Sequence, residues 1–300
     1  VPALDEVLVT GQRPGPGMWR VSKSGHELWV LAVLSPLPKK MVWRSTAVEE
    51  RIAHSQVVLA PPRVEADIGF FRGLTLLPAL LRARKTPDDA TLEQTLPHDL
   101  YIRWLALRVK YSTPGSDEHM RPAVAAVDLY FRALDASGLT SDDAVWDTVE
   151  KAARKARVPI TQVTLHLPTD DARNDIRSLG QIDRSSEVAC LAKTLDRLER
   201  DLQPMRQRAN LWSLGDVDAL RVLGVPEEQQ ACLDAVLSVP KLRDKLEEAR
   251  RKLADLWLEA AEHAMAVNSS SFAVLAMPMV LAADGPLENL RAKGYDVEPP

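Results

Sequence analysis

The sequence predicts an α/β protein: a central mixed sheet built from N- and C-terminal strands, with a large helical insertion between them. Three observations carry this expectation. Apolar runs of strand length lie near both ends of the chain, over residues 28–34 and 272–277. Over about residues 70–158 and 186–266, apolar side chains recur instead at the three-to-four spacing of helices. No internal repeat or low-complexity linker divides the chain, so one domain is expected over 18–300, after a flexible arm over 1–17.

The elements follow in chain order. "MWRVSKSGHELWVLAVL" reads as a β-hairpin, with strands over about 18–22 and 27–34 and a turn at Lys23-Ser24-Gly25. A short strand over 57–60 is stopped by Pro61-Pro62. Residues 70–85 are apolar on most sides, which predicts a buried helix. Residues 100–110, 122–136 and 142–157 follow as amphipathic helices, the last with Thr140 as N-cap and Asp143 three residues on. "ITQVTLHL", 160–167, returns to strand character. Helices are then expected over 186–203, broken at Pro204 and resumed to Trp212, and over 216–223, 227–237 and 241–266. In the last, Leu242, Leu246, Ala249, Leu253, Leu256 and Ala260 form one stripe, predicting a core-facing side rather than a partner-binding coiled coil. A strand over 272–277, a helix around 287–293 and a strand over 295–298 close the chain.

Composition narrows the function classes. With 300 residues, 46% of them apolar and 27% charged, the chain has ordinary globular composition and ample core. A net charge of −4 argues against a nucleic-acid or anionic-membrane partner for the protein as a whole. Basic clusters such as Arg206/Arg208 and residues 243–252 alternate with acids and read as solvated helix faces. No apolar run approaches the ~18 residues of a membrane-spanning helix. The opening "VPALDEVLVTGQRPGPG" lacks the basic and apolar regions of a signal peptide, and is the kind of segment expected once one has been removed.

Cys190 and Cys232 sit in no CxxC or Cys/His cluster, which disfavours zinc and thioredoxin-type chemistry. Two buried thiols would fit the sequence, but the expectation is a Cys190–Cys232 disulfide. A bridge would close a loop of about 42 residues, contributing roughly 4 kcal/mol in the chain-entropy model, and an exported compartment would favour it.

Few stretches could carry chemistry. Glu259 and His263 share a helix face and could offer two metal ligands, though a surface ion pair or a core-edge histidine explains them better. His166, at the end of a strand and followed by Asp170, Asp171 and Asp175, is the better acid–base or metal candidate. The same "PTDDARND" also reads as an ordinary helix start, with Thr169 or Asp170 as cap. There is no GxSxG elbow, and no GxGxxG or P-loop between a strand and a helix.

At "PGPGMWRVSKSGHELWVLAVLSPLPKKMVWRS" the sequence resembles the TraB/GumN family of bacteria, to which the animal Tiki metalloproteases are related. "VVLAPPRVE", "LLPALLRARKTPDDATLEQTLPHDLYIRW" and the closing "DGPLENLRAKGYDVEPP" extend the likeness over most of the chain. The resemblance implies an erythromycin-esterase/ChaN-like fold. In members capable of catalysis it implies a G-T-x-H motif ending the first strand, a glutamate ending a later one, and an Arg-Asn pair before a second G-x-x-H. Two imidazoles and a carboxylate from such strand ends can hold a divalent cation that lowers the pKa of bound water.

This chain departs from that pattern. The first motif falls on Ala32-Val33-Leu34-Ser35, the glutamate on or near Ala60, the Arg-Asn pair on Val267-Asn268, and the second motif on Ala276-Met277-Pro278-Met279. No histidine follows His263. The expectation is therefore a protein without the family's metal or any other cofactor. It would be a periplasmic or secreted bacterial protein that acts by binding an unidentified protein, peptide or saccharide. Its contact surface would be a vestigial cleft near Ser35, Pro38, Ala60 and Asn268, or the helical insertion. The alternative is a metal-dependent hydrolase, of peptidase or esterase type, with a relocated site using Mn, Co or Zn. His166 with Asp170 or Asp171, or Glu259 with His263, would then converge in one cleft. A third expectation is an assembly factor for an exported polysaccharide or surface complex.

Overall fold

The hairpin closes over Ser24 and Gly25, both at positive φ (53° and 85°), the backbone that lets two twisted strands meet across a two-residue turn. Its strands are β1 (Met18–Lys23) and β2 (His26–Val33), followed by β3 (Leu37–Pro38), α1 (Thr46–Ala53), β4 (Val58–Leu59) and β5 (Arg63–Ala66). Next come α2 (Phe70–Ala83), α3 (Leu92–Thr95), α4 (His98–Lys110) and α5 (Pro122–Ala136). β6 (Leu139–Thr140), α6 (Ala144–Ala156), β7 (Ile160–Thr161), β8 (Thr164–Leu167) and α7 (Ala172–Leu179) follow. The chain continues through α8 (Arg184–Arg200), α9 (Leu202–Leu214), α10 (Val217–Leu223), α11 (Gln230–Leu237) and α12 (Pro240–Val267). It ends with β9 (Ser270–Ala276), α13 (Met277–Leu281), α14 (Pro286–Ala292) and β10 (Asp296–Glu298). This computed structural model describes residues 15–300 other than 67, 112–117, 142, 201 and 225–229.

The predicted α/β class, with a mixed sheet joining the two ends of the chain, is observed. Six strands lie in the order β10-β1-β2-β9-β4-β7. β2, β9, β4 and β7 pair in parallel, while β1 pairs antiparallel with both β2 and β10. β2 and β9 occupy the middle, and Leu28, Val30, Leu31, Ala32 and Phe272 to Leu275 are all buried. Such near-continuous apolar runs are what parallel strands need when both faces are covered. The buried apolar residues form two clusters. One surrounds the sheet; the other fills the helical part from Leu92 to Leu139 and from Ile182 to Val239.

Several expectations are corrected. The strand expected over 160–167 divides at Gln162-Val163: β7 stays in the main sheet and β8 pairs with β5. β5 is exposed along its whole length, so it gave no apolar alternation to read. Thr140 does not cap α6. It pairs with Leu37 in a small ribbon, and Asp143 takes the N-cap position without a side-chain bond, while Asp142 lies outside the described residues. α2 is not buried: Leu74, Leu77, Leu80 and Leu81 are 43–53% exposed, and only Leu76 is covered among its described side chains. The stripe on α12 is also displaced. Leu256 is exposed, and the residues buried with Ala249 are Trp257, Ala261, Ala264 and Met265. This helix packs on α11 and α7 in the helical part and on β2 and β9 in the sheet, so no single stripe serves it throughout.

Pro204 lies in the first turn of α9, where its missing N–H costs nothing. The helix expected from residue 227 is described from Gln230, the residues before it lying outside the description. Of the expected arm, residues 1–14 lie outside the described residues, and Gly15 and Pro16 are buried. They pass Gly215, which ends α9 at φ +72° and whose added Cβ would stand 2.7 Å from Gly15 O.

Candidate functional site

Parallel strands place their carboxyl ends along one edge, the edge where α/β proteins usually bind ligands. Here β2 ends at Val33, opposite Ala276 of β9, and β4 ends at Leu59. Ser35, Ala60 and Met277 follow these strands. Ser35 is exposed and precedes a cis bond to Pro36. Ala60 is fully buried, its N–H donating to Thr161 O at 2.9 Å. Met277 is buried as well. Trp212, carried by α9, packs against the end of β2: its Nε1–H donates to Ala32 O at 2.7 Å and its ring meets Trp43 edge-on at 5.6 Å.

Pro38 stays near this edge, in β3, paired with Leu139. Asn268 does not. It is the C-cap of α12 and precedes β9, whose Ser270 is in register with Glu27 at the amino end of β2. Its carbonyl meets His26 Nδ1 at 2.7 Å and its Nδ2 donates to Ala264 O at 2.8 Å. The length of β9, about 20 Å at strand rise, separates Asn268 from Ser35 and Ala60. The parallel register thus removes Asn268 from the vestigial cleft.

The donor set at this edge does not fit a divalent metal. One hydroxyl, one methyl and one thioether offer no imidazole or carboxylate for a hard or borderline cation. Among the described residues, no three His, Cys, Asp or Glu side chains gather as metal ligands.

The residues of the relocated site lie on β8, at the start of α7 and on α12. His166 lies on β8 opposite Glu65, lining a polar depression with Arg63, Trp146, Glu150 and Gln162. Asp171 instead faces α12, where Lys241 Nζ donates to its Oδ2 at 2.6 Å. That bond, with one from Asn174, holds the Asp171 carboxyl below its usual range. Asp175 receives Lys245 Nζ at 2.7 Å. Asp171, not Thr169 or Asp170, takes the N-cap position of α7, again without a side-chain cap, and Asp170 is exposed. Glu259 and His263 stand one turn apart on an exposed face of α12, joined by no third ligand among the described residues.

A large concavity lies elsewhere. A cleft of about 1350 Å³ runs beside α5, walled by Leu80, Val124, Val127, Phe131, Leu179 and Val236. Arg121 and Glu187 sit in its wall, 5% and 4% exposed. Arg121 Nε donates to Glu187 Oε1 at 2.6 Å, and its two terminal nitrogens donate to Gly180 O at 3.1 Å and Ile182 O at 2.9 Å. Burial pushes the Glu187 carboxyl up, against the pull of the Arg121 guanidinium. Cys232 lines the same cleft and is bridged to Cys190, tying α11 to α8. Sequence periodicity missed this cleft. The available signal was residues 70–85, a leucine-rich helix with four basic residues and no acidic one.

A family model, that of the TraB/PrgY/gumN family, matches residues 17–299. The chain belongs to the TraB/PrgY/gumN family. The match to this TraB/PrgY/gumN protein spans the whole sheet and both helical stretches. No curated protein and no solved structure matches the chain.

Proposed function

We propose that this member of the TraB/PrgY/gumN family is a non-catalytic binding protein of the bacterial periplasm or secreted space, and that the apolar cleft beside α5 is its binding surface. One observation carries the reading. The three adjacent strand ends present Ser35, Ala60 and Met277, with the Trp212 indole packed against the end of β2, while the cleft beside α5 is lined largely by hydrocarbon and bears the marks of a binding groove. The Cys190–Cys232 bridge accords with an oxidising compartment. No helix among the described residues is long and apolar enough to cross a membrane.

Metal content of the purified, untagged protein, followed by calorimetric titration with manganese, cobalt and zinc, tests the first part. No stoichiometric uptake is expected at micromolar concentration. Stoichiometric binding would overturn the reading and direct the search to His166, Asp170, Asp171, Glu259 and His263. Fractionation of the native host tests the compartment: recovery in the cytoplasm with both cysteines open to alkylation would count against it.

A further inference from the structure

We infer that the cleft beside α5 binds an amphiphile with one acyl chain and one anionic head group, the head held by Arg84. This inference rests on the binding reading above and names its ligand class.

Shape is the first argument. α5 lines the cleft from Ala123 to Asp135, a length of about 18 Å at helical rise, which suits an extended ligand better than a compact one. Apolar surface is the second. Leu80 and Phe131 are 43% and 50% exposed, hydrocarbon left in water that a chain laid along α5 would cover.

The walls decide what kind of chain. Along α5 they are mostly the flanks of helices, whose backbone groups are already bonded within each helix, with β6 at one end. An extended peptide in the cleft would bury its own amides against leucine, valine and phenylalanine without partners, and a saccharide would do the same with its hydroxyls. An acyl chain has no such groups to satisfy.

Charge selects the head. Three of the four cations lining the cleft are paired within it: Arg121 with Glu187, Arg132 with Asp128 at 2.8 Å, and Lys39 with Asp135. Arg84 is the remaining one, exposed at the rim, with no ion-pair partner among the described residues. Its carbonyl accepts from Arg121 N–H at 2.9 Å, which fixes it where α5 begins. An anionic head at Arg84 would stay hydrated while its chain follows α5.

The test uses the full chain and displacement of a dansyl-labelled fatty acid. The competitors are palmitate, a lysophosphatidate and monopalmitoylglycerol, each below its micelle threshold. The first two share an anionic head and differ in its source, carboxylate or phosphate; the third is neutral. Palmitate is expected to bind saturably, once per chain. Arg84→Gln should weaken both anionic ligands about fivefold and leave the neutral one unchanged. Val127→Trp, which fills the cleft, should weaken all three more than about tenfold. Arg84 is exposed, so Arg84→Gln keeps the test valid even where Val127→Trp fails to fold.

Absence of saturable palmitate binding would overturn the inference, as would an equal effect of Arg84→Gln on charged and neutral ligands. Sedimentation with phosphatidylglycerol vesicles, or dimerisation, that Val127→Trp abolishes while palmitate fails to bind would assign the apolar surface to a bilayer or a second copy and equally overturn it. Palmitate failing to bind while metal uptake is also absent removes the ligand class and leaves the binding reading standing. Stoichiometric metal uptake removes that reading itself.

Discussion

Replacing Arg121 with methionine is expected to cost about 3–5 kcal/mol of stability, because it leaves a carboxylate buried without its counter-charge. Arg121 and Glu187 are both almost completely covered, and the guanidinium also serves the Gly180 and Ile182 carbonyls, which would lose their donors. The unfolding midpoint in urea reads the loss. The double variant Arg121→Met/Glu187→Met should recover most of it, since it removes the orphaned charge, although the two carbonyls stay unserved. The loss should also depend on pH with a definite sign. Burial already raises the Glu187 carboxyl above its ordinary value of 4.5, and without Arg121 it rises further. A carboxyl raised in the folded state is penalised as pH climbs through its folded pKa and is unpenalised below the unfolded value. The Arg121→Met deficit should therefore be smaller near pH 5 than near pH 8. A deficit that is the same at both, or a double variant as unstable as the single one, would show that the pair is not the source.

Removing the disulfide, by reduction or by Cys190→Ala/Cys232→Ala, should lower stability by about 4 kcal/mol in the chain-entropy model. The bridge spans 42 residues and lies in the helical cluster, with Cys190 in α8 and Cys232 in α11. Its loss should loosen α11, and with it the Val236 and Cys232 wall of the cleft, before it disturbs the sheet. Hydrogen exchange can check that order: protection should fall first in α8 and α11 and persist in β2 and β9. An unchanged unfolding midpoint after complete reduction would refute the prediction.

The candidate site was only partly readable from the residues. Ser35 and Ala60 were placed correctly at strand ends because an apolar run followed by proline announces where a strand stops. Asn268 was placed at the wrong edge. Its position depends on β9 lying parallel to β2 with Ser270 beside Glu27, a register no local pattern records. His166 and Asp171 were close in sequence, yet Asp171 turned toward Lys241, seventy positions further on, because two long cations on α12 stand opposite it. The leucines of α2 looked like core by composition. Whether a leucine is covered depends on which elements arrive beside it, and only one face of this helix meets α7.

By itself, the sequence determined the α/β class, most of the helices, and the residues Ser35, Ala60 and Met277 that follow the strands. Each of these follows from residue identity or from periodicity over a few turns, and so is written locally. Tertiary structure alone decided the sheet order, the burial of Arg121 against Glu187, and the opening of an apolar cleft beside α5. These depend on contacts between residues far apart in the chain, made when the apolar faces of separate elements leave water together.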